Sequence, residues 1–388
     1  MRIAVCTNTY RPSLNGVVNS IEAFRAGLEA AGHDVVICAP SASGYDDDDE
    51  NVYRFPAAPF SQCPDYPIPF PASRAAYMGL GPKGIEIVHT QHPWLLGKWG
   101  QVFARRHELP VVTTIHTQYE QYAHYAFPLP STVVTAQLRA GVRRHCRKVD
   151  LVITPGRAMK AYLRGLGVKR PVEVVPNATD LTGFDTADGS AVRQEHGIDP
   201  DEVLFMFVGR TAPEKSLDKV IRAFCRATPQ LPNGRLMIIG GGVQLDELRQ
   251  LAAAQPCSSK ISLPGPVLYE RIREYHAAAD VFVTASVTEV QPLSLSEAMA
   301  AQTPIIGVDA GGINDMVTHG ETGLLTPVSG GIAALTRAML DLGGDRGKRL
   351  AMGRAAQAAS AQYDIPNATS RLVEVYHLAA ELHARKHR

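Results

Sequence analysis

The sequence contains no apolar run of the roughly eighteen residues that a membrane-spanning helix needs. Its first residues go straight into a strand-like segment, Arg2-Ile-Ala-Val-Cys6, without the layout of a signal peptide. A cytoplasmic protein is expected, soluble or peripheral on the inner face of the cell membrane. Excess charge is lacking too: 39 Lys and Arg stand against 38 Asp and Glu, a formal net charge of +1, which argues against wholesale binding of nucleic acid. There is no Cys-x-x-Cys pair. The six cysteines, Cys6, Cys38, Cys63, Cys146, Cys225 and Cys257, are scattered, so reduced, buried thiols are expected and a structural zinc is not. No sequence repeat relates one half of the chain to the other. The one dense acidic run, Asp46-Asp-Asp-Asp-Glu50, repels itself instead of spreading ligands around a cation, and reads as a solvated loop.

What is present is length and periodicity. At 388 residues and 45% hydrophobic, the chain can build two domains with cores of their own. Short apolar runs at Ile3–Thr7, Asp34–Ala39, Ile85–His89, Val111–His116, Leu151–Thr154 and Val172–Val175 alternate with helical periods such as Val17, Ile21, Phe24 and Leu28. A second series has runs at Val203–Val208, Arg235–Ile239, Lys260–Leu263, Asp280–Thr284, Pro304–Val308 and Gly323–Thr326. Its first helix carries Leu217, Val220, Ile221 and Phe224 on one face. Between them, Leu181–Pro200 is rich in Gly, Asp, Ser and Thr and reads as a linker. The fold class is therefore α/β, two doubly wound parallel-sheet domains, and such domains bind ligands at the C-terminal ends of their strands, here in a cleft between the two.

Three regions do not fit that scheme: the acidic run, the proline-rich extended segment Phe55–Pro71, and a basic helix over Ser131–Asp150. In that helix Val134, Leu138, Val142 and Cys146 make a buried stripe, and Arg139, Arg143, Arg144, Arg147 and Lys148 lie beside it. Two readings stand open, a face laid on anionic lipid or a merely solvated one. Residues 1–182 lean basic, with 19 Lys and Arg against 15 Asp and Glu.

The stretch Ser286-Val-Thr-Glu-Val-Gln-Pro-Leu-Ser-Leu-Ser-Glu297 sets two carboxylates, Glu289 and Glu297, across a strand-to-helix turn, with Ser294 and Ser296 placed to cap the helix. One acid sits in the turn and the other in the first helical turn, with amides between them that suit an anion. Glu297 is equally a first-turn acid favoured by the helix dipole. Val208-Gly-Arg-Thr-Ala-Pro-Glu-Lys-Ser216 ends a strand in Gly209 and supplies Arg210 and Lys215, a fork and a point charge that suit a diphosphate, or two surface basics in a polar loop. Gly16, after the first strand, would let a diphosphate approach the backbone. His116, at the end of its strand, could hydrogen-bond a sugar hydroxyl or be satisfied by local backbone. His89 and Gln91 end the preceding strand in the same way, and Tyr119 and Tyr122 could line an acceptor channel or the core.

On Gly209–Lys215, Glu289–Glu297 followed by Ala-Met-Ala, Gly311-Gly312 and Gly320-Glu-Thr-Gly-Leu-Leu325, the chain resembles retaining GT-B glycosyltransferases of family 4 over essentially its full length. The resemblance implies a GT-B fold with an N-terminal acceptor-side domain (1–182), a C-terminal nucleotide-sugar domain (183–365) and a final helix (366–388) returning to the first. It implies α-linked transfer of a hexose without a metal or other cofactor, the nucleotide sugar being a substrate. Arg210 and Lys215 would hold the diphosphate, with Gly16 and Gly209 close by. Glu289 and the backbone of Gln291, Pro292 and Leu293 would hold the sugar, Glu297 the ribose and the backbone near Val267 the base. His116 would touch the sugar near its sixth carbon.

Within the family, Thr288–Leu293 and the segment from His116 look most like the diacylglycerol α-glucosyltransferase branch, which implies UDP-glucose and a lipid acceptor. That branch has glycine where this chain has Pro292, which has no N–H to donate. Asp315 likewise stands where glutamate is usual. Other readings are a GDP-mannose-dependent mannosyltransferase, transfer to a soluble acceptor, a nucleotide-sugar epimerase, and a non-catalytic sugar-nucleotide binder.

Overall fold

The structure is a computed structural model that describes residues 1–13, 15–58, 67–70, 84–120 and 131–387. Two compact units emerge: residues 1–179 together with 365–388, and residues 180–364.

In the first unit the elements run β1 (Arg2–Cys6), α1 (Gly16–Ala30), β2 (Asp34–Pro40), β3 (Val52–Phe55), β4 (Ala57–Ala58), β5 (Ile68–Pro69), β6 (Ile87–Thr90), α2 (Leu96–Arg106), β7 (Val111–Thr114), α3 (Ser131–Cys146), β8 (Leu151–Thr154), α4 (Arg157–Gly165) and β9 (Val172–Val174). Seven strands form one parallel sheet in the order β3-β2-β1-β6-β7-β8-β9. Strands covered on both faces have no reason to alternate apolar and polar residues, and β6, β7 and β8 are accordingly buried throughout.

The second unit runs α5 (Ser190–Glu195), β10 (Val203–Val208), α6 (Leu217–Ala227), β11 (Gly234–Ile239), α7 (Leu245–Ala253), β12 (Ile261–Gly265), α8 (Ile272–Ala278), β13 (Val281–Val283), α9 (Leu293–Ala300), β14 (Ile305–Val308), α10 (Gly311–Met316), β15 (Gly323–Thr326), α11 (Gly331–Gly344) and α12 (Arg346–Ser360). Its parallel sheet has the order β12-β11-β10-β13-β14-β15. All four apolar residues read onto one face of α6 are buried. The last helix, α13 (Ile365–Lys386), belongs to the first unit. It buries Leu372, Val375, Tyr376 and Ala379 in a core shared with Val18, Ile21 and Leu28 of α1. Gly27 permits the approach, since a Cβ there would collide with Thr369 and Ile365.

Strand order reverses between β1 and β6 in the first sheet and between β10 and β13 in the second. At such a switch point the loops leaving adjacent strands diverge to opposite faces and open a crevice at the strands' C-terminal ends. The loops around Gly16, Gln91, Arg210 and Glu289 all leave these four strands.

Several expectations need correcting. Leu181–Pro200 is no free linker: it contains α5, and Phe184, Val192 and Ile198 enter the second unit's core. The acidic run is not merely solvated, because Asp47 accepts from Arg54 at 2.6 Å and Asp49 faces Arg25 at 2.5 Å. These pairs hold the loop leading into β3, an edge strand without an apolar run to announce it. Cys225 and Cys257 form a disulfide with Cα atoms 5.6 Å apart, whereas Cys6, Cys38 and Cys146 are buried free thiols. Cys63 lies outside the described residues. Among the described residues no helix is long and apolar enough to cross a membrane.

Candidate active site

The second unit gathers the two motifs that the sequence keeps far apart. After β10, Gly209 has φ +152°, and Arg210 to Ala212 lead into a 3₁₀ turn, Pro213–Lys215, that ends at Ser216 with φ +50°. Gly240 and Gly242 fit under this loop because a Cβ on either would strike the carbonyls of Gly209 and Thr211, and Thr211 N donates to Gly241 O at 2.9 Å. On the next strand over, the β13–α9 loop carries Glu289. It lies against Gly311 and Gly312: Gly312 N donates to Glu289 O at 2.7 Å, and a Cβ on Gly312 would overlap the Val290 carbonyl. Gly240, Gly242, Gly311 and Gly312 are thus explained by backbone packing against backbone.

Lys215 Nζ sits 2.5 Å from Glu289 Oε1, with side chains 17% and 13% exposed. Arg210 is different. Its side chain is 70% exposed and, among the described residues, its guanidinium reaches only Glu214 Oε1, at 3.4 Å. The loop therefore presents one largely exposed cation, loosely paired with Glu214, and one held closely by Glu289. A phosphate would meet Arg210 directly and would compete with Glu289 for Lys215. Glu214, in reach of Arg210 one helical turn on, escaped the sequence reading, although its i+4 spacing was there to see.

Glu297 lies inside α9, buried, with Oε2 3.4 Å from Nε2 of His276 on α8. His276 is fully buried between the rings of Phe184 and Phe282. No sequence signal pointed to it. The helix itself starts one residue earlier than expected, at Leu293, and neither serine caps it. Pro292 is the N-cap residue, and Ser296 Oγ donates back to Leu293 O at 2.7 Å. The proline's missing amide falls outside the helix, and Leu293 and Ser294 supply its first N–H groups. Gln291 is buried beside it. Val267, half-buried, follows Gly265, whose carbonyl accepts from Gly240 N at 2.9 Å. The backbone there lies next to the glycine loop.

In the first unit Asn15 caps α1 by accepting from Val17 N and Val18 N, and Gly16 is the first helical residue. Among the described residues a Cβ at Gly16 would meet no atom within 4 Å, so their packing supplies no reason for glycine there. His116 Nε2 is 2.7 Å from Gln91 Oε1. An amide oxygen only accepts, so Nε2 carries the hydrogen and Nδ1 is left as an acceptor. Burial lowers the His116 pKa to about 4, keeping the ring neutral. Gln91→Glu is expected to raise that pKa by a unit or more, read from the ring's NMR titration, because a carboxylate at 2.7 Å stabilises the imidazolium. An unmoved titration would mean that the two side chains do not touch.

His89 does not join this group. It is 3% exposed, with Nδ1 2.8 Å from Tyr376 Oη and Nε2 2.7 Å from Thr114 Oγ1, a core residue tying β6 to β7 and α13. Tyr119 packs edge-on to Trp94, ring centres 4.7 Å apart. Tyr122 lies outside the described residues.

The basic helix ends at Cys146, so Arg147 and Lys148 sit in the turn beyond it. Its stripe is not uniform. Arg139 is no open cation: it pairs with Glu120 at 3.2 Å, and Tyr162 donates to the same carboxylate at 2.6 Å. Arg143, Arg144, Arg147 and Lys148 are exposed.

The sequence also matches known families. Residues 14–182 match the model described as Glycosyltransferase Family 4, and residues 189–359 the one described as Glycosyl transferases group 1. An α-monoglucosyldiacylglycerol synthase of Acholeplasma laidlawii is 30% identical over 327 residues, 79% of this chain and 80% of its own. The chain belongs to glycosyltransferase family 4. This family 4 enzyme is as similar to a GDP-mannose-dependent α-mannosyltransferase of Mycobacterium tuberculosis, 30% identical over 338 residues and 84% of each chain. Its GT-B fold matches a crystal structure of an Anabaena protein in complex with UDP, with TM-score 0.76 and 18% identity over 97% of this chain and 99% of that one.

Proposed function

We propose that this glycosyltransferase moves a hexose, glucose in the first place, from a UDP-sugar to the hydroxyl of a lipid such as diacylglycerol, with retention and without a metal. The observation that carries the donor half is the placing of Lys215 and Glu289 at 2.5 Å beside the largely exposed Arg210. A nucleotide sugar already has a good leaving group, so the barrier lies in separating diphosphate from a cationic sugar ring, and fixed positive charge near the phosphates is the largest available term. In this reading the acceptor oxygen attacks the anomeric carbon on the face from which the diphosphate departs. The leaving phosphate oxygen takes the acceptor's proton, while Arg210 and Lys215 hold its negative charge. Glu289 binds sugar hydroxyls, Glu297 the ribose, and neutral His116 accepts from a sugar hydroxyl through Nδ1.

The lipid half is supported by the relatedness to α-monoglucosyldiacylglycerol synthases. Membrane attachment would be peripheral, on the cytoplasmic face, through Arg143, Arg144, Arg147 and Lys148. Reversing Arg143 and Arg147 together is expected to weaken association with anionic vesicles at least about tenfold, since each basic residue near such a surface contributes about 1 kcal/mol. Donor binding should not change. Arg139 is a poorer choice because its loss breaks the Glu120 pair.

A GDP-mannose donor is the second reading, favoured by the equal identity to the mycobacterial mannosyltransferase. The test is a donor panel offered with extracted lipids and read by mass spectrometry, with nucleotide release measured with and without lipid. Glucosylated lipid from UDP-glucose supports the first reading and mannosylated product from GDP-mannose the second. Tight donor binding without release in any mixture would end both.

A further inference from the structure

The first unit also has a concavity that meets the β6–α2 loop at Trp94. It is a cavity of about 790 Å³ enclosed by α2, α3 and the last turns of α13, within the size range of small-ligand sites. Lys98 and Arg105 line it from α2, and Arg144 and Lys148 from the end of α3 and the turn after it. None of these four cations has a carboxylate partner among the described residues. Asp150, buried at the back, is already satisfied by Val111 N at 3.1 Å, His383 Nδ1 at 2.9 Å and Lys386 Nζ at 3.5 Å. Among the described residues Glu108 is the one further acid on the lining. Four like charges around one hollow repel each other, and the field they make is focused by its low-dielectric walls. His145, buried on the same lining, registers that field: after burial itself, the charges of Lys98 and Lys148 depress its pKa.

The rest of the lining is mixed: Gln101, Gln137 and His387 are polar, and Trp94, Val102, Leu109 and Ala140 are apolar. Trp94 packs against α3, where a Cβ on Gly141 would come to 3.0 Å from its Nε1, and Val102 of α2 and Leu109 after it add aliphatic surface. Cations interleaved with an indole and aliphatic carbons on one lining suit a ligand with both characters.

We propose that this cavity binds a phosphate ester bearing an apolar substituent, the phosphate on Lys98, Arg105, Arg144 and Lys148 and the substituent against Trp94. The site goes beyond the donor and acceptor chemistry above and uses none of its residues, except that Arg144 and Lys148 now face a cavity instead of only a membrane plane. The ester could be the headgroup of an anionic lipid or a free metabolite, and the same cations would hold either.

Three probes titrated into the full chain by calorimetry decide it: dihexanoyl phosphatidic acid below its micellar concentration, phenyl phosphate and inorganic phosphate. Saturable binding of one ester per chain, tighter than inorganic phosphate, is expected. Phosphatidic acid binding tenfold tighter than phenyl phosphate would identify a lipid source, and the reverse a soluble one. Lys98→Glu with Arg105→Glu should weaken the ester at least about tenfold, which is about 1.4 kcal/mol. Lys219→Glu with Arg222→Glu, exposed on α6 of the second unit, should leave it unchanged. Ala140→Phe fills the floor without altering charge and should weaken both esters more than inorganic phosphate, so the result does not hang on one variant. No saturable binding, inorganic phosphate binding as tightly as the esters, or a Lys219/Arg222 effect equal to the Lys98/Arg105 effect would overturn the proposal.

Discussion

Replacing Glu289 by alanine is expected to lower kcat/KM by about 10²–10³-fold, the range seen when one hydrogen-bonding group to a transition state is removed. Two effects combine. On the proposed reading the sugar loses a carboxylate that would fix its hydroxyls, and Lys215 loses the counterion that holds its ammonium 2.5 Å away. Because the two act as one pair, the double variant with Lys215→Ala should lose little more than the worse single variant. Lys215 can still reach water, so the Tm should fall by only a few degrees. Glu289→Gln separates the causes, since it keeps an acceptor oxygen and removes the charge. Initial rates with the donor identified by the panel, beside thermal melts, check all of this. A loss of less than about tenfold with an unchanged Tm would remove Glu289 from the mechanism.

The first unit should unfold in mild acid. His89, His92 and His145 are buried, and burial lowers each pKa to about 3, with neighbouring positive charge from His116 adding for His89, from His116 and His145 for His92, and from Lys98 and Lys148 for His145. In the unfolded chain each would titrate near 6.5. Below that pH the unfolded state takes up protons that the folded state refuses. The stability these residues contribute is therefore complete above about pH 6.5 and is lost progressively as the pH falls toward 3. At pH 5 the loss is about 2 kcal/mol for each, or about 6 kcal/mol for the three. That is comparable to the whole stability of a typical domain, about 5–15 kcal/mol. Hydrogen exchange followed by mass spectrometry should show β6, β7 and α3 losing protection together between pH 6.5 and 5. Unchanged protection at pH 5 would mean that these imidazoles reach water more easily than their packing indicates.

Neither the paired site nor the histidine core could be read from spacing. Lys215 and Glu289 meet because β10 and β13 are neighbours at the switch point of their sheet. A pattern of apolar residues announces a strand but not its neighbour. His89 and Gln91 are two positions apart and looked equivalent, yet the strand ends at Thr90. His89 therefore stays in the pleat and points into the core, whereas Gln91 is free to turn toward His116. The basic stripe looked like one surface, but packing divides it into an ion pair at Arg139 and the cavity lining at Arg144 and Lys148. His276 beneath Glu297 and the Cys225–Cys257 link have the same origin: residues brought together from different elements.

Local order, in contrast, is written into short windows. The six buried residues of Val203–Val208, the apolar face of α6 and the alternation of strand with helix were all readable, because backbone hydrogen bonding and side-chain period act over a few residues. So were the family's motifs, whose glycines and charges lie close together in the chain. Which carboxylate holds which cation, which histidine is tied into the core and which meets Gln91 beyond the strand, and which arginines stay exposed were decided only by tertiary structure. Those distinctions depend on strand order and on where each strand stops, and both are settled by packing the whole unit.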